Sequence, residues 1–213
     1  HHETSAVFMA DAWARVTGRP GACLTTLGPG AANAVAGVAH AYLDRSPVLV
    51  ITAQKPDSLL PGYTHQVLDL HALFRPITKA SIRLTCANVT DAVLRALGLA
   101  WSGRPGPVHL QLSNEDAALP LLTPPDSCIE AGKPELSAPP IEALATARAL
   151  LATAQRPLIL AGLGLEPQRP YAALRSLAEA AQAPVVVTPK AKGALPDNHP
   201  LVAGTIGLTH TDP

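Results

Sequence analysis

Short apolar runs alternate along the chain with longer segments in which apolar residues recur every three or four positions. The runs have the length of strands, and the periodic segments have the length of helices. In the first half, the pattern predicts helices over 3–16, 31–43 and 89–101, and strands over 21–26, 47–53 and 107–112. The run 47–53 (PVLVITA) is apolar almost throughout, as expected for a parallel strand covered on both faces. The alternation predicts an α/β fold with a doubly wound, mostly parallel sheet.

A proline-rich stretch separates this sheet from a second α/β segment. Residues 119–140 contain six prolines and little apolar periodicity, so we interpret them as a semi-rigid linker. The α/β pattern then resumes, with helices predicted over 141–154 and 171–182 and strands over 157–161 and 184–188. We therefore predict one domain at 1–118 and a second at 141–213. The second has few βα units, so we expect it to be an incomplete α/β domain.

The first predicted helix is amphipathic. Its apolar positions are mostly three or four apart, at Ala6, Met9, Ala10, Trp13 and Val16. Asp11 and Arg15 fall on its other faces, and Gly18 and Pro20 are expected to end it.

Charge and composition exclude several classes of protein. Sixteen basic and sixteen acidic side chains give a formal net charge of zero, which argues against nucleic acid and anionic membranes as partners. No apolar run is long enough to span a bilayer. Three widely spaced cysteines without a CxxC pair argue against a disulfide scaffold and a zinc ribbon. With no basic and apolar leader at the start, we expect a cytoplasmic protein.

Three places carry candidate chemistry, and each also has a purely structural interpretation. Glu3 opens a helix, where a carboxylate is favoured by the helix dipole. The segment 28–33 (GPGAAN) joins a strand to a helix, where open amides bind ligands but where a tight turn is the favoured interpretation of these residues alone. Asn33 occupies the third glycine position of GxGxxG, so we predict no dinucleotide fold. His65 and Gln66 lie in a polar stretch that is typical of a solvated loop.

Taken in order, the motifs resemble one family. They are HE at 2–3, FMADAWAR at 8–15, TGRPG at 17–21, LGPGAANA at 27–34, AYLD at 41–44, HQ at 65–66, RPITK at 75–79 and SGRPGPV at 102–108. This series resembles the pyrimidine-binding domain of thiamine diphosphate enzymes, and its pattern is similar to that of acetolactate synthase. Residues 2–112 carry the resemblance, and residues 156–200 look like the start of the central domain of the same family.

The resemblance implies roles for individual residues. The family glutamate that matches Glu3 hydrogen-bonds the aminopyrimidine ring nitrogen and favours the tautomer that removes a proton from the thiazolium carbon. A carboxyl that shares this proton is expected in a shielded site with a raised pKa. The residues implied to bind the cofactor are Gly28, Pro29, Asn33 and Thr26, and those implied to face the substrate are Leu27, Gln66 and His65.

The resemblance implies decarboxylation or carboligation of 2-oxo acids by a lyase or transferase. His65 stands where acetolactate synthases usually have phenylalanine, and Val67 where they have an acidic residue. Ser113 and Asn114 replace a proline and a basic residue. These departures leave the substrate and the acceptor open.

The family also implies groups that these residues do not supply. There the diphosphate is held through Mg²⁺ by a Gly-Asp-Gly motif of a later domain, and no GDG occurs here, so no metal ligand is assigned. Some relatives bind FAD, which nothing in this sequence supports. Family active sites lie between two subunits, in homodimers or tetramers. We therefore expect part of a longer enzyme, lacking its opening strands and inactive alone. A non-catalytic dimerisation or binding module is the alternative.

Overall fold

The computed structural model describes residues 2–62, 64–120, 138–165 and 169–207. The chain divides into two compact units, His1–Glu135 and Leu136–Pro213. Most of the predicted linker, from 121 to 137, lies outside the described residues. The proposed boundaries at 118 and 141 therefore remain predictions.

The first unit is built around a four-stranded parallel sheet. Its elements are α1 (Glu3–Thr17), β1 (Gly21–Thr25), α2 (Pro29–Leu43), β2 (Val48–Gln54), α3 (Leu70–Phe74), β3 (Ser81–Leu84), α4 (Val89–Trp101), β4 (Val108–Ser113) and α5 (Asn114–Ala118). The strand order is β1-β2-β4-β3, and every neighbouring pair is parallel. This confirms the predicted fold class.

Alternate residues of β2 supply the cores on the two faces of this sheet. Val48 and Val50 belong to a buried cluster that also contains residues of α1, α2 and α3. Leu49 belongs to another cluster, in which Leu110 of β4 packs with the alanines of α4. Because successive strand residues point to opposite faces, a helical layer covers each face, as in a doubly wound sheet.

The helix α1 forms where it was predicted, but the prediction of its apolar face is wrong in part. Met9, Trp13 and Val16 are 65%, 55% and 86% exposed, whereas Asp11 is only 4% exposed. The Asp11 carboxylate accepts a hydrogen bond from Arg15 Nε at 2.9 Å and lies 3.3 Å from His40 Nδ1 of α2. The ion pair with Arg15 compensates for the burial of a charge that the sequence pattern had placed on another face.

Small residues bring α1 close to its neighbours. A Cβ on Gly37 of α2 would lie 2.7 Å from Val7 Cβ and 3.3 Å from the Thr4 carbonyl oxygen. A Cβ on Gly21 of β1 would lie 2.0 Å from the Ala10 carbonyl oxygen. The distances of 2.7 Å and 2.0 Å are too short for a real side-chain atom, so the packing of α1 depends on glycine at these two positions.

A chain of polar side chains crosses the interior between α3 and β2. His109 of β4 is fully buried, and its ring nitrogens lie 2.6 Å from Ser81 Oγ and 2.8 Å from Thr52 Oγ1. Ser81 Oγ is also 2.6 Å from His71 Nδ1, and the ring of Phe74 stacks on His109. Burial, and to a smaller extent the nearby His71, lowers the pKa of His109 to about 3.

The second unit contains a three-stranded parallel sheet. Its elements are α6 (Ile141–Thr153), β5 (Ile159–Ala161), α7 (Tyr171–Ala181), β6 (Val185–Val187) and β7 (Val202–Thr205). The strand order is β5-β6-β7. Leu174 and Ala178 of α7 pack on Val185 and Val187, whereas α6 has no buried residue. Among the described helices of the chain, none has the length and apolar character to cross a membrane.

The close packing of α1 against α2 predicts opposite effects of alanine at two helical glycines. Gly37→Ala is expected to lower the free energy of unfolding by about 1–3 kcal/mol, because the new methyl group overlaps Val7. Gly98→Ala in α4 is the matched control. Its methyl group would meet nothing within 4 Å, and alanine should stabilise the helix by up to about 1 kcal/mol. Urea unfolding of both variants provides the measurement, and equal effects would contradict the account.

Burial of neutral His109 predicts a pH dependence of stability. The unfolded state takes up this proton near the ordinary pKa of 6.5, whereas the folded state does so only at about 3. Folding stability therefore falls as the pH drops from about 6.5 towards about 3, by up to about 1.4 kcal/mol per pH unit. In His109→Gln this contribution is absent, so urea unfolding across this range should give a shallower slope. Parallel pH profiles for the two proteins would refute the assignment.

Candidate functional site

The first turns of α1 and α2 meet around Glu3. Glu3 is the first residue of α1, and its Oε2 accepts a hydrogen bond from Asn33 Nδ2 at 3.1 Å. The neighbouring Thr4 donates from Oγ1 to the Asn33 backbone oxygen at 2.5 Å. The side chain of Asn33 and its backbone are thus both tied to the start of α1, and the Glu3 carboxylate is held at a fixed place between the two helices.

Gly30 allows this carboxylate to approach α2 closely. A Cβ at position 30 would lie 3.1 Å from Glu3 Oε1 and 2.4 Å from Thr26 Cγ2. Thr26 itself is exposed at the carboxyl end of β1. In α/β proteins, ligands bind at the carboxyl ends of parallel strands. Glu3, Thr26 and Gly30 therefore form one surface where a ligand of this fold is expected.

A strained turn forms the other side of this surface. Gly28 caps the start of α2 with φ 58° and ψ −117°, a conformation that favours glycine strongly. Its hypothetical Cβ would lie 2.5 Å from the Gln66 backbone oxygen. Gln66 also has a positive φ, 59°, which is unusual for a residue other than glycine. A left-handed residue other than glycine persists only where its surroundings hold it, and such residues cluster at ligand-binding sites.

The electrostatic environment of Glu3 differs from the expectation. The backbone N–H of Glu3 and, to a smaller extent, the Asn33 amide donate to the carboxylate and lower the pKa of Glu3 below its ordinary value. The expected raised pKa is therefore wrong for the chain by itself. A raised pKa requires desolvation, and the half-buried Glu3 is not shielded enough by the described residues to produce it.

The other predicted residues differ in their exposure. Leu27 is buried, and Pro29, the first residue of α2, is exposed at a position where its missing N–H costs nothing. His65 is exposed beside Gln66. No hydrogen bond between described residues joins His65 to Glu3 or Asn33. The contacts thus join Glu3 to Thr26, Gly30 and Asn33, and join Gly28 to Gln66.

Gly30 and Thr4 were missed as site residues in the sequence. Gly30 lies inside the GPGAAN segment, so its signal was present but was attributed to the turn. Thr4 carries no signal, because its function is a hydrogen bond to a residue 29 positions away. Within the described ranges, no group of three or more His, Cys, Asp or Glu side chains is arranged to hold a metal ion.

The fixed carboxylate suits a ligand that donates a hydrogen bond or shares a proton. Glycine at positions 28 and 30 is required because the space that a Cβ would fill is already occupied, by Gln66 at position 28 and by Thr26 and Glu3 at position 30. A carboxylate held by Asn33 can accept a hydrogen bond from a ring N–H or share a proton with a ring nitrogen. The fixed position of the carboxylate makes such proton sharing directional.

Two protein-family models match the chain. Residues 1–73 match the thiamine pyrophosphate enzyme, N-terminal TPP binding domain. Residues 144–213 match the central domain of the same enzymes. The first match contains every residue of the cluster described above.

Full-length relatives match almost the whole chain. A probable acetolactate synthase large subunit of Methanocaldococcus jannaschii is 37% identical over 99% of the chain and 36% of its own length. The acetolactate synthase isozyme 1 large subunit of Escherichia coli is 35% identical over 97% of the chain and 36% of its length. A probable 2-ketoarginine decarboxylase of Pseudomonas aeruginosa is 36% identical over 95% of the chain and 36% of its own length. The chain thus spans little more than a third of these relatives.

The hydrogen bond from Asn33 predicts a change in the titration of Glu3. In Asn33→Ala one of the two leading donors to the carboxylate is lost, so the pKa of Glu3 should rise towards its ordinary value of 4.5. Titration of the Glu3 carboxyl carbon by ¹³C NMR measures this directly. Asn198→Ala, at an exposed position of the second unit, is the control and should leave the titration unchanged. A Glu3 pKa that stays constant or falls in Asn33→Ala would show that the bond is not formed in solution.

Proposed function

Because the chain belongs to the thiamine pyrophosphate enzyme family, we propose that Glu3 and its neighbours bind the aminopyrimidine ring of thiamine diphosphate in an enzyme acting on 2-oxo acids. The observation that carries this proposal is the Glu3 carboxylate, held by Asn33 and packed closely against Gly30 at the start of α2. A domain kept only for dimerisation would not require an oriented carboxylate at this place.

In this proposal Glu3 shares a proton with a nitrogen of the bound ring. Asn33 keeps the carboxylate in place, and Thr4 keeps Asn33 in place. Thiamine diphosphate, when bound, supplies the electron sink that allows the bond beside the 2-oxo group to break. The contribution of this chain is to orient the ring and to hold a proton at Glu3 Oε1 or Oε2.

The remaining residues divide between the ring and the substrate. Gly28, Pro29 and Thr26 line the proposed ring pocket, where glycine permits close approach of the backbone. We assign Leu27, Gln66 and His65 to the substrate side. Gln66 is supported by its contact with the Gly28 turn, and His65 by its position next to Gln66.

The partial exposure of Glu3 supports the proposal that the site is completed from elsewhere. A carboxylate that accepts two hydrogen bonds and remains partly solvated holds its proton weakly. Covering Glu3 with the cofactor and a second subunit would desolvate the carboxylate and raise its pKa into the range useful for proton sharing. Relatives described as large subunits are in keeping with such an assembly, a homodimer or tetramer.

Three other assignments do not rest on the geometry of the site. We propose that Mg²⁺ and the diphosphate are held by a further domain, since the relatives are nearly three times as long. The free Cys23 and Cys86 agree with the cytoplasm as the compartment. The substrate is a small 2-oxo acid, and decarboxylation and carboligation receive similar support because the decarboxylase and synthase relatives are almost equally similar.

The proposal predicts a severe defect when the Glu3 carboxyl is replaced by an amide. In the complete protein that contains this chain, Glu3→Gln should lower turnover of a 2-oxo acid by on the order of 10²–10⁴-fold. The exchange rate of the reactive proton of bound thiamine diphosphate, measured by quenched-flow NMR, should fall in parallel. The variant removes the proton-sharing group while preserving its shape.

Glu142→Gln is the matched control for this experiment. Glu142 is also a glutamate in the first turn of a helix, α6, and it is exposed, so its replacement should leave both rates unchanged. If Glu3→Gln retained the exchange rate of the unmodified protein, Glu3 would not be the proton-sharing group.

A further inference from the structure

The segment 55–68, which carries Gln66, forms turns but no helix or strand in its described residues, 55–62 and 64–68. It leaves β2 and ends just before α3, and most of its described residues are exposed. Its internal backbone hydrogen bonds are local turns, such as Leu59 N to the Pro56 oxygen and Val67 N to the Thr64 oxygen. Local turns of this kind do not fix a long connection relative to a sheet. Its position must therefore be set by contacts with residues outside it.

One such contact comes from Gln54, the last residue of β2. Its side chain is buried, with 4% exposed, although it is polar and lies at the end of a strand. Gln54 Nε2 donates to the Leu68 backbone oxygen at 2.9 Å, and Gln54 Oε1 accepts from the Lys55 backbone N at 2.9 Å. One side-chain amide thus bonds to both the first and the last residue of the segment.

The bond from Gln54 to Leu68 lies close in sequence to Gln66, the residue with the positive φ. Leu68 follows Gln66 by two positions, and the backbone of Gln66 packs against Gly28 in a left-handed conformation. A left-handed residue other than glycine persists only when its surroundings hold it there. Gln54 is anchored in the second strand of the sheet, so it provides a rigid point from which Leu68, and with it Gln66, is held.

A second anchor lies near the other end of the segment. Arg83 NH1 of β3 donates to Asp57 Oδ2, but both side chains are substantially exposed. Such an exposed pair contributes little to stability. The buried amide of Gln54 is the stronger of these two anchors, because releasing Leu68 would leave the Gln54 N–H group without its acceptor at a buried position.

We propose that Gln54 is a positioning residue that holds Gln66 against Gly28 and thereby sets the substrate side of the site. The proposal rests on the proposed function for the role of Gln66, but the anchoring itself does not. Gln54 contacts neither ring nor substrate in this proposal. It acts through the Leu68 carbonyl, and only a side chain that both donates and accepts can make both bonds.

Two substitutions separate the two bonds. Gln54→Glu has the same shape and keeps the acceptor for Lys55 N, but as a carboxylate it cannot donate to the Leu68 oxygen. Gln54→Leu fills the space and removes both bonds. Gln155→Glu is the matched control, because the Gln155 amide also donates to a backbone oxygen, that of Thr153, but at an exposed position of the second unit.

The anchoring is tested first, without any assay of activity. Hydrogen–deuterium exchange of the complete protein should show at least tenfold faster exchange across 55–68 in Gln54→Glu and Gln54→Leu. The exchange of β1, β2 and α2 should be unchanged, which establishes that the variants are folded. Gln155→Glu should match the unmodified protein. Unchanged exchange across 55–68 in both Gln54 variants would overturn the proposal.

The positioning is tested by kinetics of the same complete protein. Both Gln54 variants should raise KM for a 2-oxo acid such as pyruvate at least tenfold, while the Kd for thiamine diphosphate changes less than twofold. Lowering the pH from about 8 to about 6 should bring the KM of Gln54→Glu back towards normal, because a buried carboxyl becomes protonated in this range and then donates to Leu68. Gln54→Leu should show no such recovery.

The outcomes separate the inference from the proposed function. Faster exchange across 55–68 with an unchanged KM would refute the positioning role of Gln54. Weaker thiamine diphosphate binding with an unchanged KM would also refute it. If the unmodified complete protein turned over no 2-oxo acid, the proposed function would fail, and the exchange experiment would still decide whether Gln54 anchors the segment.

Discussion

The close approach of α1 to α2 is the constraint on which the rest of the first unit depends. Glycine at positions 30 and 37 removes the side chains that would separate the two helices. Contact at Gly37 brings Val7 into the core, and contact at Gly30 brings the Glu3 carboxylate beside α2. Asn33 then binds Glu3 through its side chain and Thr4 through its backbone. The close packing of α1 on α2 and the placement of the Glu3 carboxylate beside Asn33 therefore depend on the same pair of helices.

The electrostatics of Glu3 indicate how much of a site this chain supplies. Orientation comes from the chain itself, through Asn33 and the helix start. The chain does not desolvate the carboxylate, because Glu3 remains partly exposed. The hydrogen bonds that orient the carboxylate lower its pKa. In the proposed function, burial by the cofactor and a second subunit opposes this lowering. A site that is oriented by this chain and buried by other parts agrees with relatives that are nearly three times as long as this chain.

The sequence was most informative where apolar runs are continuous. The central strand β2 and the helices α2 and α4 were predicted to within two residues of their ends. The strands β3 (SIRL) and β7 (VAGT) were missed because each is only four residues long and contains polar or glycine residues, so neither forms an apolar run. Within the site, the GPGAAN segment pointed to the turn. The contacts of Thr4 and Gln54 were not predictable. Each is a hydrogen bond to a backbone carbonyl oxygen of a residue distant in sequence, and a backbone group leaves no signal in the residue types.

The most direct test of the account is a crystal structure of the complete protein with thiamine diphosphate bound. The measured quantity is the distance from the nearer Glu3 carboxylate oxygen to the ring nitrogen of the aminopyrimidine. The account predicts a hydrogen-bond distance of about 2.6–3.2 Å, with the ring above the backbone of Gly28 and Gly30. A ring bound elsewhere, with Glu3 beyond hydrogen-bond reach and still paired only with Asn33, would contradict it.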